Sequence, residues 1–309
     1  MEKISGSEAV IKCLLEEGVE IIYGYPGGAI MPVYDELYKY KDKIHHVLTR
    51  HEQGATHAAD GYARATGRAG VVLVTSGPGA TNTVTGIANA SLSSTPLLVI
   101  GGCTTVYQSN MGPLQDIPHV DILKPITRYS RTARVSEQVI RELDLAYSFA
   151  IGHLGEPGPS YIEIPTDVLR TSVKDKLILK DWLKYKNPYK SLPNPDDIEL
   201  FKDKIEAARR PLIITGRGAK NSGEEIYEFL RKTGALYLDT QESRGLISKN
   251  NEFHIYASRS KVIAEADLVI LVGRKLDYQL AFGSPAIFRH AKFIRISSNP
   301  FELVDNRRG

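Results

Sequence analysis

The sequence predicts an α/β protein made of two doubly wound parallel-sheet domains. Short apolar segments with the composition of buried strands, such as GVVLVTS, LLVIGG and DLVILVG, alternate with helix-like segments along most of the chain. Strands that are apolar throughout and separated by helices are typical of parallel sheets covered on both faces. A length of 309 residues is sufficient for two such domains.

The alternation is interrupted once, in residues 171–195. This segment is rich in Lys, contains three prolines and has the composition of an exposed linker. We therefore expect a first domain at residues 1–170 and a second at residues 196–309. We expect the second domain to be incomplete, because NPFELVDNRRG follows its last predicted strand without a closing helix.

The composition excludes several classes of protein. The content of 42% hydrophobic and 24% charged residues is ordinary for a globular protein, and the net charge is +3. Because positive charge is concentrated in the Lys-rich linker, we expect no nucleic-acid partner. We also expect no membrane segment, since no apolar run approaches about 20 residues. The two cysteines have no metal-like spacing, so we expect a cytoplasmic protein.

One acidic residue, Glu52, has unusual neighbours. In RHEQGATHAADGYARATG it lies where a strand-like segment gives way to a helix made largely of Gly and Ala. A surface glutamate needs no small neighbours, so a second element or a ligand is expected to pack here. A zinc motif is excluded, because His51 and His57 are six residues apart and metal-binding histidines on one helix face need a spacing of four.

Three glycine-containing turns also follow predicted strands. In YGYPGGAIMP, Gly27 and Gly28 would let a ligand approach the backbone closely. GPGATN and GRGAKN, at residues 77–82 and 216–221, each resemble the start of a dinucleotide fingerprint with Asn in place of the third Gly. For GRGAKN two interpretations stay open: a tight strand-to-helix turn, or backbone N–H groups that approach a phosphate.

Three of these segments are expected to meet in space. Residues 27–28, 52–55 and 77–82 each follow a strand of the first predicted sheet. The carboxyl ends of parallel strands share one edge of the sheet, where open α/β sheets bind ligands. The pattern therefore predicts a ligand site at this edge.

Taken together, the motifs resemble a known family. GYPGGAIMPVYDEL, RHEQGATHAADGYARATGRAGVVLVTSGPGATN and GEPGPSYIEIPTDV resemble the N-terminal pyrimidine-binding domain of thiamine-diphosphate enzymes, above all the acetolactate (acetohydroxyacid) synthase large subunit. LIITGRGAKNS and ADLVILVGRKLDYQL are similar to the central domain of that family. The resemblance implies a transferase that decarboxylates pyruvate and joins the two-carbon unit to a second 2-oxoacid, in branched-chain amino-acid biosynthesis.

The resemblance also assigns roles to residues around the cofactor. Glu52 would share a proton with N1′ of the aminopyrimidine ring, which helps the cofactor lose its own proton at C2. Gln115, in NMGPLQDIPHV, would lie near cofactor and substrate. By the same resemblance, the loop beside the thiazolium is formed by Tyr25, Pro26, Gly27, Gly28 and Ala29. Pro78 and Asn82 would line the pyrimidine pocket. Gly216 and Gly218 would contact FAD or ADP in the central domain.

Two substrate positions depart from the family pattern. Leu114 stands where the family usually has Phe, and Arg128, in the strand-like ITRYSR, stands where it usually has Lys. Arg is a planar fork whereas Lys is a point charge, so recognition of a small carboxylate would change. These departures leave open a thiamine-diphosphate-dependent lyase or decarboxylase acting on a 2-hydroxyacyl-CoA or a ketol. A second alternative, a non-catalytic nucleotide-binding remnant, stays open because the family's metal-binding motif is not found.

A third part of the family's machinery is not found in the sequence. The family holds the cofactor's diphosphate and its Mg²⁺ through a GDG motif, and this sequence contains no GDG. We therefore expect the Mg²⁺ ligands on a partner chain, in a homo- or hetero-oligomer. The sequence leaves open whether this is a natural split subunit or a truncated one.

Overall fold

In a computed structural model, residues 3–174 and 192–307 are described. The chain divides into two compact units, Met1–Tyr189 and Lys190–Gly309. Most of the predicted linker lies outside the described residues. Its beginning differs from the prediction, because Ser172–Lys174 forms a strand that pairs antiparallel with Lys3–Ser5. Strands of three residues are too short to leave a periodic pattern in the sequence.

The first unit contains a six-stranded sheet. The short N-terminal strand at residues 3–5 is β1 and lies outside this sheet. The six strands of the sheet are β2 (Ile21–Gly24), β3 (His45–Leu48), β4 (Gly70–Val74), β5 (Leu97–Cys103), β6 (Tyr129–Thr132) and β7 (Pro159–Pro165). They are ordered β3–β2–β4–β5–β7–β6, and every neighbouring pair is parallel. The strand β8 is the one at residues 172–174, which pairs with β1.

Helices cover both faces of this sheet. They are α1 (Gly6–Glu16), α2 (Met31–Lys39), α3 (Glu52–Thr66), α4 (Pro78–Thr81), α5 (Val84–Leu92), α6 (His119–Leu123), α7 (Val139–Ile151) and α8 (Thr166–Arg170). Alternate residues of β4 point into separate cores: Val71 and Leu73 pack with α1, α2 and α7, whereas Val72 and Val74 pack with α3 and α5. This burial on both faces explains why the strands are apolar throughout.

The strand order creates a switch point in the first sheet. The chain leaves β2 towards β3 on one side and leaves β4 towards β5 on the other. Connections that diverge in this way open a crevice at the carboxyl ends of the two strands. The turns that follow β2 and β4, at residues 25–30 and 75–82, are therefore the segments that line it.

The second unit repeats the design with four strands. These are β9 (Pro211–Thr215), β10 (Leu236–Asp239), β11 (Leu268–Val272) and β12 (Lys292–Ile296), all parallel and ordered β10–β9–β11–β12. Its α-helices are Pro195–Ala207, Gly223–Thr233, Arg259–Glu265 and Pro300–Val304. The predicted fold class, two doubly wound parallel sheets, is confirmed. The expectation that no helix follows the last strand was wrong, since Pro300–Val304 is a short helix.

Within the described residues, no helix combines the length and the apolar character that crossing a membrane requires.

Candidate active site

Glu52 is a buried carboxylate at the first residue of α3. The helix is capped by His51, whose ring Nδ1 accepts a hydrogen bond from the backbone N–H of Gln53 at 3.1 Å. Glu52 is only 7% exposed, although acidic side chains are rarely buried without a partner. Its partner is Asn82, whose Nδ2 donates to Glu52 Oε2 at 2.9 Å. The sequence therefore places a paired, dehydrated acid at the carboxyl edge of the sheet.

The small residues around Glu52 allow α3 to lie close to its neighbours. Ala55 and Ala59 are fully buried. A Cβ atom added to Gly70 of β4 would lie 2.3 Å from the carbonyl oxygen of Ala59, and one added to Gly86 of α5 would lie 2.5 Å from Thr56 Cγ2. Packing against the sheet and α5 accordingly explains the buried alanines of α3, whereas an added Cβ on Gly54 or Gly61 would meet no atom of the described residues within 4 Å.

The turn after β2 packs against β5 and against Thr166. A Cβ atom on Gly102 of β5 would lie 2.4 Å from the carbonyl carbon of Ala29, so the loop rests directly on that strand. The hydroxyl of Thr166 lies 3.1 Å from the carbonyl oxygen of Ala29. At Gly28, by contrast, an added Cβ would meet no atom of the described residues within 4 Å. Gly28 therefore faces open space, as a backbone that admits a ligand would; Tyr25 and Pro26 beside it are also exposed.

Thr75 connects the turns at the switch point and was missed in the sequence. Its side chain would lie 2.5 Å from a Cβ atom on Gly27 and 2.7 Å from one on Gly79. The added Cβ on Gly79 would also lie 3.6 Å from Glu52 Oε1. Among the described residues, the buried hydroxyl of Thr75 has no hydrogen-bond partner. An unsatisfied buried hydroxyl is costly and suggests a group that arrives from outside.

The negative charge of Glu52 also acts on the phenol of Tyr34. Its hydroxyl donates to the carbonyl oxygen of Leu73 at 3.1 Å. Burial raises the pKa of the Tyr34 phenol, and the negative charge of Glu52 raises this pKa further. Tyr34 therefore stays protonated beside the carboxylate.

Gln115 and Leu114 lie on the loop between β5 and β6. The hydroxyl of Ser76 donates to Gln115 Oε1 at 3.3 Å, which brings Gln115 to the turn that precedes Pro78. The side chain of Leu114 is 86% exposed. The structure thus brings Gln115 beside the turns that carry Pro78 and Asn82, and it leaves Leu114 at the surface of the same loop.

Arg128 does not join this cluster. It directly precedes β6, and its backbone N–H donates to the carbonyl oxygen of Pro159 at the first residue of β7. It therefore lies at the amino edge of the sheet, opposite to Glu52. Its guanidinium pairs with Glu156 at 3.0 Å. The assignment of Arg128 to the substrate is corrected for this unit, because a motif position does not state at which edge of the sheet it lies.

Gly216 and Gly218 are explained by packing in the second unit. A Cβ on Gly216 would lie 2.4 Å from the carbonyl oxygen of Gly273, and one on Gly218 would lie 2.8 Å from Cα of Gly273. A turn at Arg217–Ala219 follows, and the next α-helix begins only at Gly223. The tight-turn interpretation accounts for both glycines without a ligand.

A buried polar chain next to the site was also missed. The backbone N–H of Gly77 donates to His119 Nε2 at 2.6 Å, and His119 Nδ1 lies 2.9 Å from Glu163 Oε2. Glu163 is the one charged residue in the apolar strand PSYIEIP. That isolated charge was a usable signal, but its partners are distant in sequence.

Comparison with known proteins identifies the family. Residues 4–123 match the thiamine pyrophosphate enzyme N-terminal TPP-binding domain, and residues 198–309 match the central domain of the same enzymes. The chain therefore belongs to the thiamine pyrophosphate enzyme family and carries its N-terminal and central domains.

Within this family, the chain is similar to acetolactate synthases. It is 35% identical to the acetolactate synthase large subunit of Lactococcus lactis, over 97% of this chain and 53% of that protein. It is 35% identical to an acetolactate synthase of Arthrospira platensis (99% and 55%) and 34% identical to a probable acetolactate synthase large subunit of Methanococcus aeolicus (98% and 52%). The chain spans about half the length of these curated relatives. The predicted resemblance is confirmed.

The site fits the pyrimidine half of thiamine diphosphate. A buried carboxylate, the amide of Asn82 and the unsatisfied hydroxyl of Thr75 offer polar groups to a heterocycle, and Gly28 leaves room for it. Metal ligands are a different matter: in residues 3–174 and 192–307, no three His, Cys, Asp or Glu side chains are grouped to hold an ion.

Proposed function

We propose that this chain is the pyrimidine-binding and central part of an acetolactate-synthase-like enzyme. The observation that carries the proposal is the buried pair of Glu52 and Asn82 at the switch point of the first sheet. The relatives are named acetolactate synthases, and for this chain we propose pyruvate as the first substrate and a second 2-oxoacid as the acceptor. These reactions belong to branched-chain amino-acid synthesis.

In this proposal, the carboxyl group of Glu52 would hold one proton and transfer it. Bound thiamine diphosphate supplies a carbon nucleophile. Asn82 donates to Glu52 Oε2, which leaves Oε1 as the oxygen that would give a proton to the ring nitrogen or accept one from it. Because Glu52 is buried, bulk water does not compete for that proton. At the turn after β2, the backbone of Gly28 can approach a developing negative oxygen of the substrate.

The diphosphate and Mg²⁺ would be held by residues outside this chain. The proposal rests on the sequence, which contains no GDG motif of the kind through which the family holds these groups. A hard divalent ion needs several oxygen ligands. We therefore propose an oligomer that includes a chain carrying the diphosphate-binding domain, and that chain supplies the diphosphate site.

We propose that the central domain binds FAD or ADP, and this proposal rests on the position of a single acidic residue. Asp239 ends β10 beside the Gly216 turn, and an acid at this place is typical of dinucleotide-binding sheets. Asp239 accepts a hydrogen bond from Arg259 Nη1 at 3.4 Å. The absorption spectrum of the purified protein tests FAD directly.

A cytoplasmic location is proposed from the cysteines. Cys13 and Cys103 are buried and not joined in a disulfide. Burial raises the pKa of the Cys103 thiol, which keeps it protonated and unreactive. Thiols in this state are typical of a reducing compartment.

The proposal is tested by assembling the chain with a diphosphate-domain polypeptide. With thiamine diphosphate and Mg²⁺, we expect acetolactate to form from pyruvate. Cleavage of a 2-hydroxyacyl-CoA at a higher rate than pyruvate turnover would instead support the lyase alternative. Cofactor binding that needs the second chain, followed by turnover, would exclude the non-catalytic remnant.

Substitution at Gly28 separates a binding role from a turn role. We expect Gly28→Ala to leave the melting temperature unchanged, because the added methyl group meets open space. Activity should fall by about 10-fold or more if a ligand group approaches this backbone, since a misplaced reactant loses much of its rate. Calorimetric melting and the acetolactate assay measure the two effects. Gly61→Ala, which also meets open space and lies outside the three predicted ligand segments, is the control for activity. Unchanged activity in Gly28→Ala would show that the glycine serves only the turn.

A further inference from the structure

A buried hydrogen-bonded chain runs from β7 to the turn before Pro78. Glu163 at the carboxyl end of β7 accepts hydrogen bonds from Thr132 Oγ1 at 2.7 Å and from the Tyr161 hydroxyl at 3.2 Å. Burial and the charge of Glu163 raise the pKa of the Tyr161 phenol well above its ordinary value, so this phenol remains a donor. The third group on the carboxylate is His119 Nδ1, at 2.9 Å.

The geometry fixes the tautomer of His119. Its Nε2 accepts the backbone N–H of Gly77 at 2.6 Å, so Nε2 carries no proton. The proton of the neutral ring is therefore on Nδ1, which donates to Glu163. His119 is only 2% exposed, and water cannot replace either bond. The ring acts as a rigid link between the end of the sheet and a single backbone amide.

That amide belongs to a glycine of the candidate site whose backbone conformation disfavours any side chain. Gly77 has φ 56° and ψ −121°, a conformation that side chains rarely adopt. Its carbonyl oxygen accepts from the backbone N–H of Thr81 at 3.0 Å, the last residue of the short helix α4, which Asn82 directly follows. A Cβ atom on Gly77 would also lie 2.6 Å from Cβ of Gln115. The position of Gly77 therefore sets where Asn82 meets Glu52 and where Gln115 lies.

We propose that His119, oriented by Glu163, is a positioning residue for the cofactor pocket. Through the Gly77 amide it holds the turn in the one conformation that presents Asn82 to Glu52 and Gln115 to the pocket. Its effect on catalysis rests on the proposed function, whereas its effect on the turn does not.

The first test measures hydrogen exchange at the Gly77 amide in the isolated chain. His119→Asn keeps a nitrogen at the position of Nδ1 for Glu163 but does not reach Gly77, whereas His119→Gln is long enough to serve both. We expect hydrogen exchange of the Gly77 amide, followed by NMR, to accelerate by about 10-fold or more in His119→Asn, because a buried donor loses its partner. His119→Gln should restore slow exchange. His119→Phe, which fills the same space, serves if the Asn variant does not fold.

The matched control is Tyr161→Phe. It removes a hydrogen bond to the same carboxylate and leaves the bonds of His119 in place. We expect a lower melting temperature with unchanged exchange at Gly77. Slow exchange in both His119→Asn and His119→Phe would overturn the inference, and so would equally fast exchange in Tyr161→Phe.

The second test uses the assembled enzyme. In His119→Asn, the concentration of thiamine diphosphate needed for half-maximal activity should rise by about 10-fold, with recovery in His119→Gln and no change in Tyr161→Phe. An unchanged cofactor requirement in His119→Asn would overturn the positioning role. A wild-type assembly that makes no acetolactate would defeat the proposed function instead, and the exchange result at Gly77 would stand separately.

Discussion

Glu52→Gln is expected to reduce acetolactate formation by about 100-fold or more, because the amide keeps the shape of the side chain but cannot carry the proton. The hydrogen bond from Asn82 can persist, since the new amide oxygen also accepts. The melting temperature should not fall, because the substitution removes a buried charge. Steady-state rates with saturating pyruvate and cofactor, in the assembled enzyme, measure the loss.

Glu16→Gln is the control for Glu52. Glu16 is an exposed residue at the end of α1, so its substitution should change neither rate nor stability. Full activity in Glu52→Gln would show that the buried carboxylate is a structural group and that the proton is handled elsewhere.

Gly102→Ala is expected to have the largest effect on stability. The methyl group would lie 2.4 Å from the carbonyl carbon of Ala29 and 2.6 Å from the backbone nitrogen of Ile30. Backbone atoms cannot rotate away as a side chain can, so β5 and the loop after β2 must separate. We expect the unfolding free energy to fall by about 2–3 kcal/mol, the upper part of the range for overpacked cores. Urea unfolding followed by circular dichroism measures the change.

Gly61→Ala is the control, and it should raise the unfolding free energy instead of lowering it. Gly61 lies within α3, and an added Cβ meets no described atom within 4 Å. Alanine favours the helix by up to about 1 kcal/mol relative to glycine, so the urea midpoint should rise. A Gly102→Ala midpoint equal to that of the wild type would mean that the loop does not rest on β5.

The sheets were predictable because burial on both faces leaves a direct mark on the sequence. GVVLV and LVILV are apolar without interruption, and each is a central strand. The pair β1 and β8 left no such mark, since each strand has three residues and pairs with a segment far along the chain.

The site was predictable as far as local motifs reach. Glu52, Asn82 and the Gly27 turn follow strands directly, and parallel strands bring their carboxyl ends together. The link from His119 to Glu163 spans 44 residues and depends on side-chain directions that no local pattern encodes. The placement of Arg128 failed for a related reason: a residue type at a motif position does not reveal the edge of the sheet.

Gly216 and Gly218 show how one pattern serves two purposes. The turns of the second sheet also meet at a switch point, between β9 and β11. There, however, Gly216 and Gly218 pack against Gly273, whereas Gly28 in the first unit faces open space. A Gly-x-Gly after a strand is therefore evidence of close approach, and only the structure shows whether a ligand or the protein itself approaches.

The most direct test of the central claim is hydrogen–deuterium exchange at C2 of thiamine diphosphate bound to the assembled enzyme, followed by NMR after rapid acid quenching. If the Glu52 carboxylate exchanges a proton with the pyrimidine nitrogen, exchange should be much faster than in the free cofactor. It should then fall by about 100-fold or more in Glu52→Gln. Equal exchange rates in the wild type and in Glu52→Gln would contradict the account.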